Sequence, residues 1–184
     1  SEVEELIKDI RRHNTRLEKR MREILEDLKR HLKRSEDKMR KLVKELKELL
    51  DRLRDIARDG ELKEEVLRRV REELRRVEEE LKRTLERNKE KLEKVREDLE
   101  RELRRDRKKN EELRKEIEKV RKDIDEKLLK ELEDVIRENE KRSRDIARTL
   151  EKALEELRKA SKELIDTARD ILRKVLEDVD RLRQ

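Results

Sequence analysis

Apolar residues recur at intervals of 18 along three long stretches of this chain, and this spacing restricts the fold more than any other feature. Eighteen residues make five turns of an α-helix at 3.6 residues per turn, so an apolar column with this period stays on one side of the helix. A seven-residue repeat would instead drift by about 20° per repeat and impose a left-handed supercoil. The spacing therefore predicts very long helices that are nearly straight and untwisted.

Two breaks divide the chain into three such helices. Gly60, the single glycine, follows the first stretch, where glycine commonly ends a helix in the left-handed conformation. The second break lacks both Gly and Pro, and the best candidate is Lys122–Glu126, with Asp123 or Asp125 as the helix-capping residue. Asp106–Asn110 is the second candidate. We expect helices over about 2–58, 61–122 and 125–183.

The composition agrees with long helices. Charged residues make up 61% of the 184 residues and hydrophobic residues 30%, with no aromatic residue, Pro or Cys. Such a composition with helical periodicity is typical of long helices, whereas a disordered chain would lack the regular apolar spacing. We predict an all-α fold in which residues 1–184 form one domain, a single-chain antiparallel three-helix bundle.

Folding the chain at the two breaks sets which positions face each other. Helix 1 position x then meets helix 2 near 120−x, and helix 2 position y meets helix 3 near 249−y, as for Val3 with Ile117 and Val70 with Val179. Apolar columns alone would also fit a shift of one or two turns. Polar residues within the columns select this register because it brings them to the same heights.

These polar residues occupy two heights, which we name the first and second polar levels. The first polar level comprises His13, Asn14, Asp106, Asn110, Asn139 and Ser143. The second polar level comprises His31, Ser35, Thr84, Asn88 and Ser161. The equivalent positions one repeat further on are apolar: Leu49, Val70 and Val179. Because a buried polar group is costly unless it is hydrogen-bonded, we predict networks that specify register.

A catalytic or metal-binding role is the alternative for these residues. His13, Asp106 and Ser143 are the residue types of a catalytic triad, but catalysis also needs a cleft and oxyanion donors, which a packed core does not offer. Each level has one histidine, and 18 residues place the two about 27 Å apart. No Cys and no Glu-x-x-His motif occurs. We expect no enzyme activity, cofactor or metal.

The surface charge gives little indication of a partner. The net charge of +6 arises from 59 basic and 53 acidic residues, which is typical of a surface rich in salt bridges. The run Arg104–Lys109 could contact phosphate, but acidic residues flank it and no aromatic is present to stack bases, so we predict a solvated helix face and no nucleic-acid partner. No apolar run approaches the ~20 residues of a membrane span, and no signal peptide is evident. We expect a soluble chain whose localisation the sequence does not specify.

The 18-residue repeat, the absence of Pro, Cys and aromatics, the charged exterior and the two polar levels resemble de novo designed three-helix bundles. Only the second connection departs from that pattern, because it lacks the usual Gly. The resemblance implies a hyperstable scaffold with no substrate and no required partner.

Two alternatives to a scaffold concern its surfaces. Helices 1 and 3 carry additional apolar columns that either pack against each other in a monomer, which we favour, or form a homo-oligomer face in an assembly building block: Ile7, Leu25 and Val43; Ile136, Leu154 and Leu172. A natural coiled-coil spacer or nucleic-acid-associated protein is the third class.

Overall fold

The structure, a computed structural model, describes residues 2–60 and 63–183. Within these ranges three α-helices follow one another: α1 (Glu2–Arg58), α2 (Glu64–Val120) and α3 (Glu126–Arg183). They contain 57, 57 and 58 residues, and this part of the chain includes no β-strand. The predicted all-α, three-helix fold is confirmed.

A left-handed glycine ends the first helix. Gly60 has φ of 72°, and its backbone N donates to the carbonyl oxygen of Ala57 at 3.2 Å. Such a conformation costs other L-residues about 1–2 kcal/mol because Cβ approaches the carbonyl oxygen, which explains the glycine at this position. The chain therefore leaves α1 directly after Arg58.

The second helix is shorter at both ends than the predicted 61–122. Lys63 precedes it, and the Lys63 carbonyl accepts hydrogen bonds from the backbone N of Val66 (3.1 Å) and Leu67 (3.2 Å). Residues 61 and 62, where we expected the helix to begin, lie outside the described residues. At the other end the backbone N of Asp123 donates to the Val120 carbonyl at 3.0 Å, which forms a turn in place of a further helical turn.

The third helix begins at Glu126, one residue after the position expected from the sequence. The carbonyl oxygen of Asp125 accepts from the backbone N of Leu129 at 3.0 Å, so Asp125 occupies the capping position. Asp106–Asn110, the second candidate for the break, lies inside α2.

Segments of all three helices form each of two compact units. The first unit consists of the residues up to 28 together with 93–156, and the second unit consists of 29–92 together with the residues from 157 onward. The first polar level belongs entirely to the first unit and the second polar level entirely to the second unit.

The core of the first unit is built from short apolar runs on the three helices. Its buried members are Val3, Leu6, Ile7 and Ile10 of α1, Leu113 and Ile117 of α2, and Leu132 and Ile136 of α3. Burying a side chain of this size contributes about 1.5–3 kcal/mol relative to leaving it in water. Along each of the three helices, the residues of this core are adjacent to the first polar level.

The core of the second unit is larger. Its buried members are Met39, Leu46, Leu49, Leu53, Leu67, Val70, Leu74, Val77, Leu81, Ile165, Ala168, Leu172, Val175 and Val179. Leu49, Val70 and Val179, the apolar equivalents of the polar levels, all belong to this cluster. The apolar height predicted from the repeat is thus part of a continuous core.

Four of the six residues in the additional apolar columns of α1 and α3 are buried, and Leu25 and Val43 are partly buried. Ile7 and Ile136 lie in one cluster, and Val43 packs against the cluster that contains Leu172. Leu154 is 8% exposed. Among the side chains whose burial the structure describes, no large hydrophobic one is exposed. No helix in the described ranges is both long and apolar enough to cross a membrane.

Candidate functional site

The closest polar contact in the first polar level joins α1 to α2. His13 Nε2 lies 2.7 Å from Asp106 Oδ1, and the side chains are 22% and 4% exposed. The other carboxylate oxygen of Asp106 accepts from Asn110 Nδ2 at 3.5 Å. A buried carboxylate loses its hydration and is stable only where such partners replace it. The level therefore gives each oxygen of Asp106 a partner.

Amide groups extend this contact to α3. Asn139 Nδ2 donates to Asn110 Oδ1 at 2.8 Å. In the amide orientation that satisfies both of its ends, Asn14 Nδ2 donates to Asn139 Oδ1 at 3.2 Å, and Asn14 Oδ1 accepts from Arg142 Nε at 3.1 Å. Because Asn14 follows His13 directly in α1, the hydrogen bonds form a circuit through all three helices.

Ser143 lies at the same level but takes no part in the circuit. The residue is 6% exposed, and its Oγ has no hydrogen-bond partner among the described residues. A catalytic serine needs a hydroxyl held against an imidazole that can take its proton. His13 Nε2 contacts Asp106, but Ser143 Oγ contacts neither ring nitrogen within a hydrogen-bond distance in the described part of the chain, so the three residues lack the arrangement of a triad.

A single amide connects the helices in the second polar level. Asn88 Nδ2 donates to Ser35 Oγ of α1 at 2.9 Å and to Ser161 Oγ of α3 at 3.1 Å. Both hydrogens of the Asn88 amide nitrogen are therefore used between helices. Thr84 Oγ1 instead donates to the Glu80 carbonyl of its own helix at 2.8 Å.

The second polar level also contains two buried polar atoms without a partner. His31 Nε2 and Asn88 Oδ1 are both buried, and neither has a hydrogen-bond partner within the described residues. Most buried polar atoms in proteins have at least one partner, so a pair of exceptions at one height needs an explanation. The geometry thus brings together Asn88, Ser35 and Ser161, while His31 stays outside their network.

Sequence reasoning missed Arg142 and Glu18. The Arg142 side chain reaches from the surface of α3 to the Asn14 oxygen, and its Nη2 donates to Glu18 Oε1 at 2.9 Å. The sequence pattern predicts both side chains in solvent, because positions 18 and 142 lie next to the apolar columns and not within them. A long arginine side chain can extend over the surface and contact a polar group just beneath it. The one indication of this contact in the sequence is that Arg142 precedes Ser143 of the first polar level.

Two ion pairs between helices perturb the pKa of one partner. Arg114 donates to Glu140 through Nε (2.5 Å) and Nη2 (2.7 Å), and this hydrogen bonding raises the pKa of Arg114. Lys38 Nζ lies 2.9 Å from Glu80 Oε2, and the hydrogen bond with its charge lowers the pKa of Glu80. Solvent screens exposed ion pairs of this kind, so they affect the helix contacts only slightly.

The described residues include no cluster of metal ligands, and a groove lies on their surface. No group of three or more His, Cys, Asp or Glu side chains in these ranges is arranged to hold a metal ion. A groove of about 730 Å³ lies on the first unit, with the buried Ile117 and Ile136 among its lining residues and charged side chains around them. Its charged members include Arg114 and Arg121, which already pair with Glu140 and Glu118.

The basic run of α2 is divided between surface and core. Arg104, Arg105, Arg107, Lys108 and Lys109 are exposed, whereas Asp106 points inward to His13. Arg105 Nη1 pairs with Glu102 Oε1 at 3.4 Å. The basic side chains of the run therefore lie on the exterior, and one of them forms an ion pair within α2.

Comparison with known proteins supports the fold. The sequence matches no protein-family model and no curated protein. A solved structure titled "Computationally designed three helix bundle" is similar, with a TM-score of 0.53 and 23% identity over 98% of this chain and 85% of that chain. The resemblance to designed three-helix bundles is thereby confirmed at the level of the fold.

Proposed function

We propose that this chain is a structural scaffold of designed origin without catalytic activity, in which the two polar levels specify the register of the helices. The observation that carries the proposal is that hydrogen bonds in both levels connect α1, α2 and α3 within cores that are otherwise apolar. Leucine and isoleucine tolerate a shifted partner because apolar contact has no direction. Hydrogen-bonded amides do not tolerate it.

A shift of one helix by one turn would cost free energy relative to the native register. Such a shift would move Asn139 away from Asn110 and Asn14, and would leave three amides facing apolar side chains. Each orphaned buried polar group costs about 1–3 kcal/mol. The levels therefore penalise shifted alternatives more than they stabilise the native pairing.

The alternative is an assembly building block that uses the apolar columns of α1 and α3. The burial of Ile7, Ile136 and Leu172 within their units favours the monomeric scaffold, because a stable dimer needs an apolar patch that the chain itself does not cover. Sedimentation equilibrium tests this choice: a mass of 22.8 kDa supports the monomer, and twice that mass supports assembly.

The register role is tested with a variant in which both networks are replaced by apolar residues. It carries leucine at positions 13, 14, 88, 106, 110 and 139, and alanine at positions 35 and 161. A control variant carries leucine at the exposed, helix-bonded threonines Thr15, Thr149 and Thr167. We expect one set of amide NMR signals for the unchanged chain and the control, and several sets or broadened signals for the apolar variant, with melting temperature maintained.

One sharp set of signals from the apolar variant, with unchanged contacts between helices, would contradict the register role. The non-catalytic part has a separate test. Hydrolysis of an activated ester that is lost in both His13→Gln and Ser143→Ala would show that the first polar level performs chemistry.

A further inference from the structure

Three residues of each polar level occupy equivalent positions of the 18-residue repeat. His31 lies 18 residues after His13, Asn88 lies 18 before Asp106, and Ser161 lies 18 after Ser143. Eighteen residues return a helix to the same orientation, so each pair of residues leaves its helix in the same direction. The second polar level therefore repeats three positions of the first, with an amide in place of the carboxylate. The positions equivalent to Asn14, Asn110 and Asn139 are occupied by Leu32, Leu92 and Leu157.

The equivalent atoms behave differently in the two levels. In the first, His13 Nε2 and Asp106 Oδ1 lie 2.7 Å apart. In the second, the corresponding atoms are His31 Nε2 and Asn88 Oδ1, which are the two buried atoms without a partner among the described residues. Because the backbone positions are equivalent, we expect the two atoms to face each other, although no hydrogen bond joins them.

The serines explain why this pair does not close. Asn88 Nδ2 is held by Ser35 at 2.9 Å and by Ser161 at 3.1 Å, so the amide cannot swing toward His31 without lengthening both hydrogen bonds. Among the described residues, Asp106 Oδ2 accepts from Asn110 at 3.5 Å, which is longer than either hydrogen bond that holds Asn88, and Asp106 Oδ1 contacts His13.

We propose that the second polar level binds one water molecule between His31 Nε2 and Asn88 Oδ1. The water donates one hydrogen to Asn88 Oδ1, which can only accept, and accepts the hydrogen of His31 Nε2. Buried waters in proteins occupy such sites, where they satisfy polar groups that would otherwise lack partners. The His31 side chain is partly exposed although its Nε2 is buried, which gives the water a route of exchange.

Two NMR measurements on the unchanged chain test the site. Nuclear Overhauser cross-peaks between water and the Hε1 and Hδ2 protons of His31 locate the water. Their sign should be that of a water molecule that exchanges slowly with solvent. Relaxation dispersion of water oxygen-17 counts long-lived waters and is insensitive to exchanging hydroxyl protons. His13 is the internal control, because Asp106 already occupies its Nε2.

We expect long-lived water cross-peaks for His31 and none for His13, and one fewer long-lived water in His31→Leu than in the unchanged chain. A His31 ring without these cross-peaks, or an unchanged water count in His31→Leu, would overturn the proposal. A direct hydrogen bond from His31 Nε2 to Asn88 would overturn it as well.

A thermodynamic cycle provides a second readout. His31→Leu and Asn88→Leu each remove one partner of the water, so their effects on the unfolding equilibrium constant should differ from additivity by about fivefold or more. Ser35→Ala is the control for Asn88, because it removes a hydrogen bond of that residue and leaves both water partners in place. Strictly additive effects of His31→Leu and Asn88→Leu would overturn the shared site.

Discussion

Replacing Asn139 with leucine should destabilise the protein through the partners that it leaves behind. Asn139 Nδ2 donates to Asn110 Oδ1 at 2.8 Å, and Asn139 Oδ1 accepts from Asn14 Nδ2 at 3.2 Å. The residue is 4% exposed, so water does not readily replace it. The substitution therefore orphans one acceptor and one donor at once.

The magnitude follows from these two atoms. Each orphaned buried group costs about 1–3 kcal/mol, so the pair costs about 2–6 kcal/mol. Burying a leucine side chain returns about 1.5–3 kcal/mol. The central values leave a net loss in the free energy of unfolding of about 2 kcal/mol for Asn139→Leu.

Removing all three amides should reverse the sign. In the variant with leucine at positions 14, 110 and 139, neither of these two orphans survives, Asp106 still contacts His13, and Arg142 still pairs with Glu18. Asp106 Oδ2 loses its 3.5 Å contact with Asn110, and the burial of one leucine offsets that cost of about 1–3 kcal/mol. Leucine is larger than asparagine, and overpacking typically costs about 1–3 kcal/mol. The apolar burial of the other two leucines exceeds this, so stability should equal or exceed that of the unchanged chain.

Guanidinium denaturation followed by far-ultraviolet circular dichroism measures both variants. The chain has no aromatic residue, so methyl NMR intensity supplies the second probe needed to establish a two-state transition. Equal unfolding free energies for the unchanged chain, Asn139→Leu and the triple variant would refute the reasoning, because they would show that these amides exchange freely with water.

Further predictions concern single positions. Leu132→Asn places an amide in the apolar core at a residue that is 0% exposed, and should cost about 3–6 kcal/mol in the same denaturation assay. Lys38 lowers the pKa of Glu80 from its ordinary value of 4.5, so the stability that the Glu80 carboxylate contributes is present above pH 4.5 and is lost as pH falls through the lower folded pKa. Lys38→Met should raise that pKa in an NMR titration of the Glu80 carboxyl carbon, and an unchanged titration would argue against the ion pair. Gly60→Ala should cost about 1–2 kcal/mol, seen as a lower melting temperature, because φ is 72° while the space for a Cβ is open.

The helices and the end of α1 could be predicted from the sequence, whereas the end of α2 could not. The 18-residue spacing predicts helices because 18 residues make five whole turns of an α-helix and keep an apolar column on one side. Gly60 marks the end of α1 because few residue types other than glycine adopt a positive φ. The end of α2 at Val120 has no comparable signal. There the helix stops through a backbone turn closed by Asp123, and many residues form such a turn equally well.

Hydrogen-bond partners were harder to predict than the positions of polar residues. Register places Asn110 and Asn139 at one height, but a hydroxyl can rotate between several acceptors. Thr84 bonds to the carbonyl of its own helix, and Ser143 Oγ has no partner among the described residues. Side-chain torsions decide the partners of these hydroxyls, and the length of the Arg142 side chain decides its contact with Asn14. The spacing of residues in the sequence predicts neither.

Successive repeats along a helix present polar or apolar residues in a fixed order. In α1 the repeat passes from position 13 to 31 to 49, and the corresponding residues are His13, His31 and Leu49. A chain with the same backbone and the order apolar, polar, polar would present leucine where this chain presents His13. Exchange of helices between two such chains would then leave unmatched polar groups at two heights, which costs about 1–3 kcal/mol for each group. Many bundles of one shape could therefore share a solution without mixing, each distinguished by the sequence of its heights.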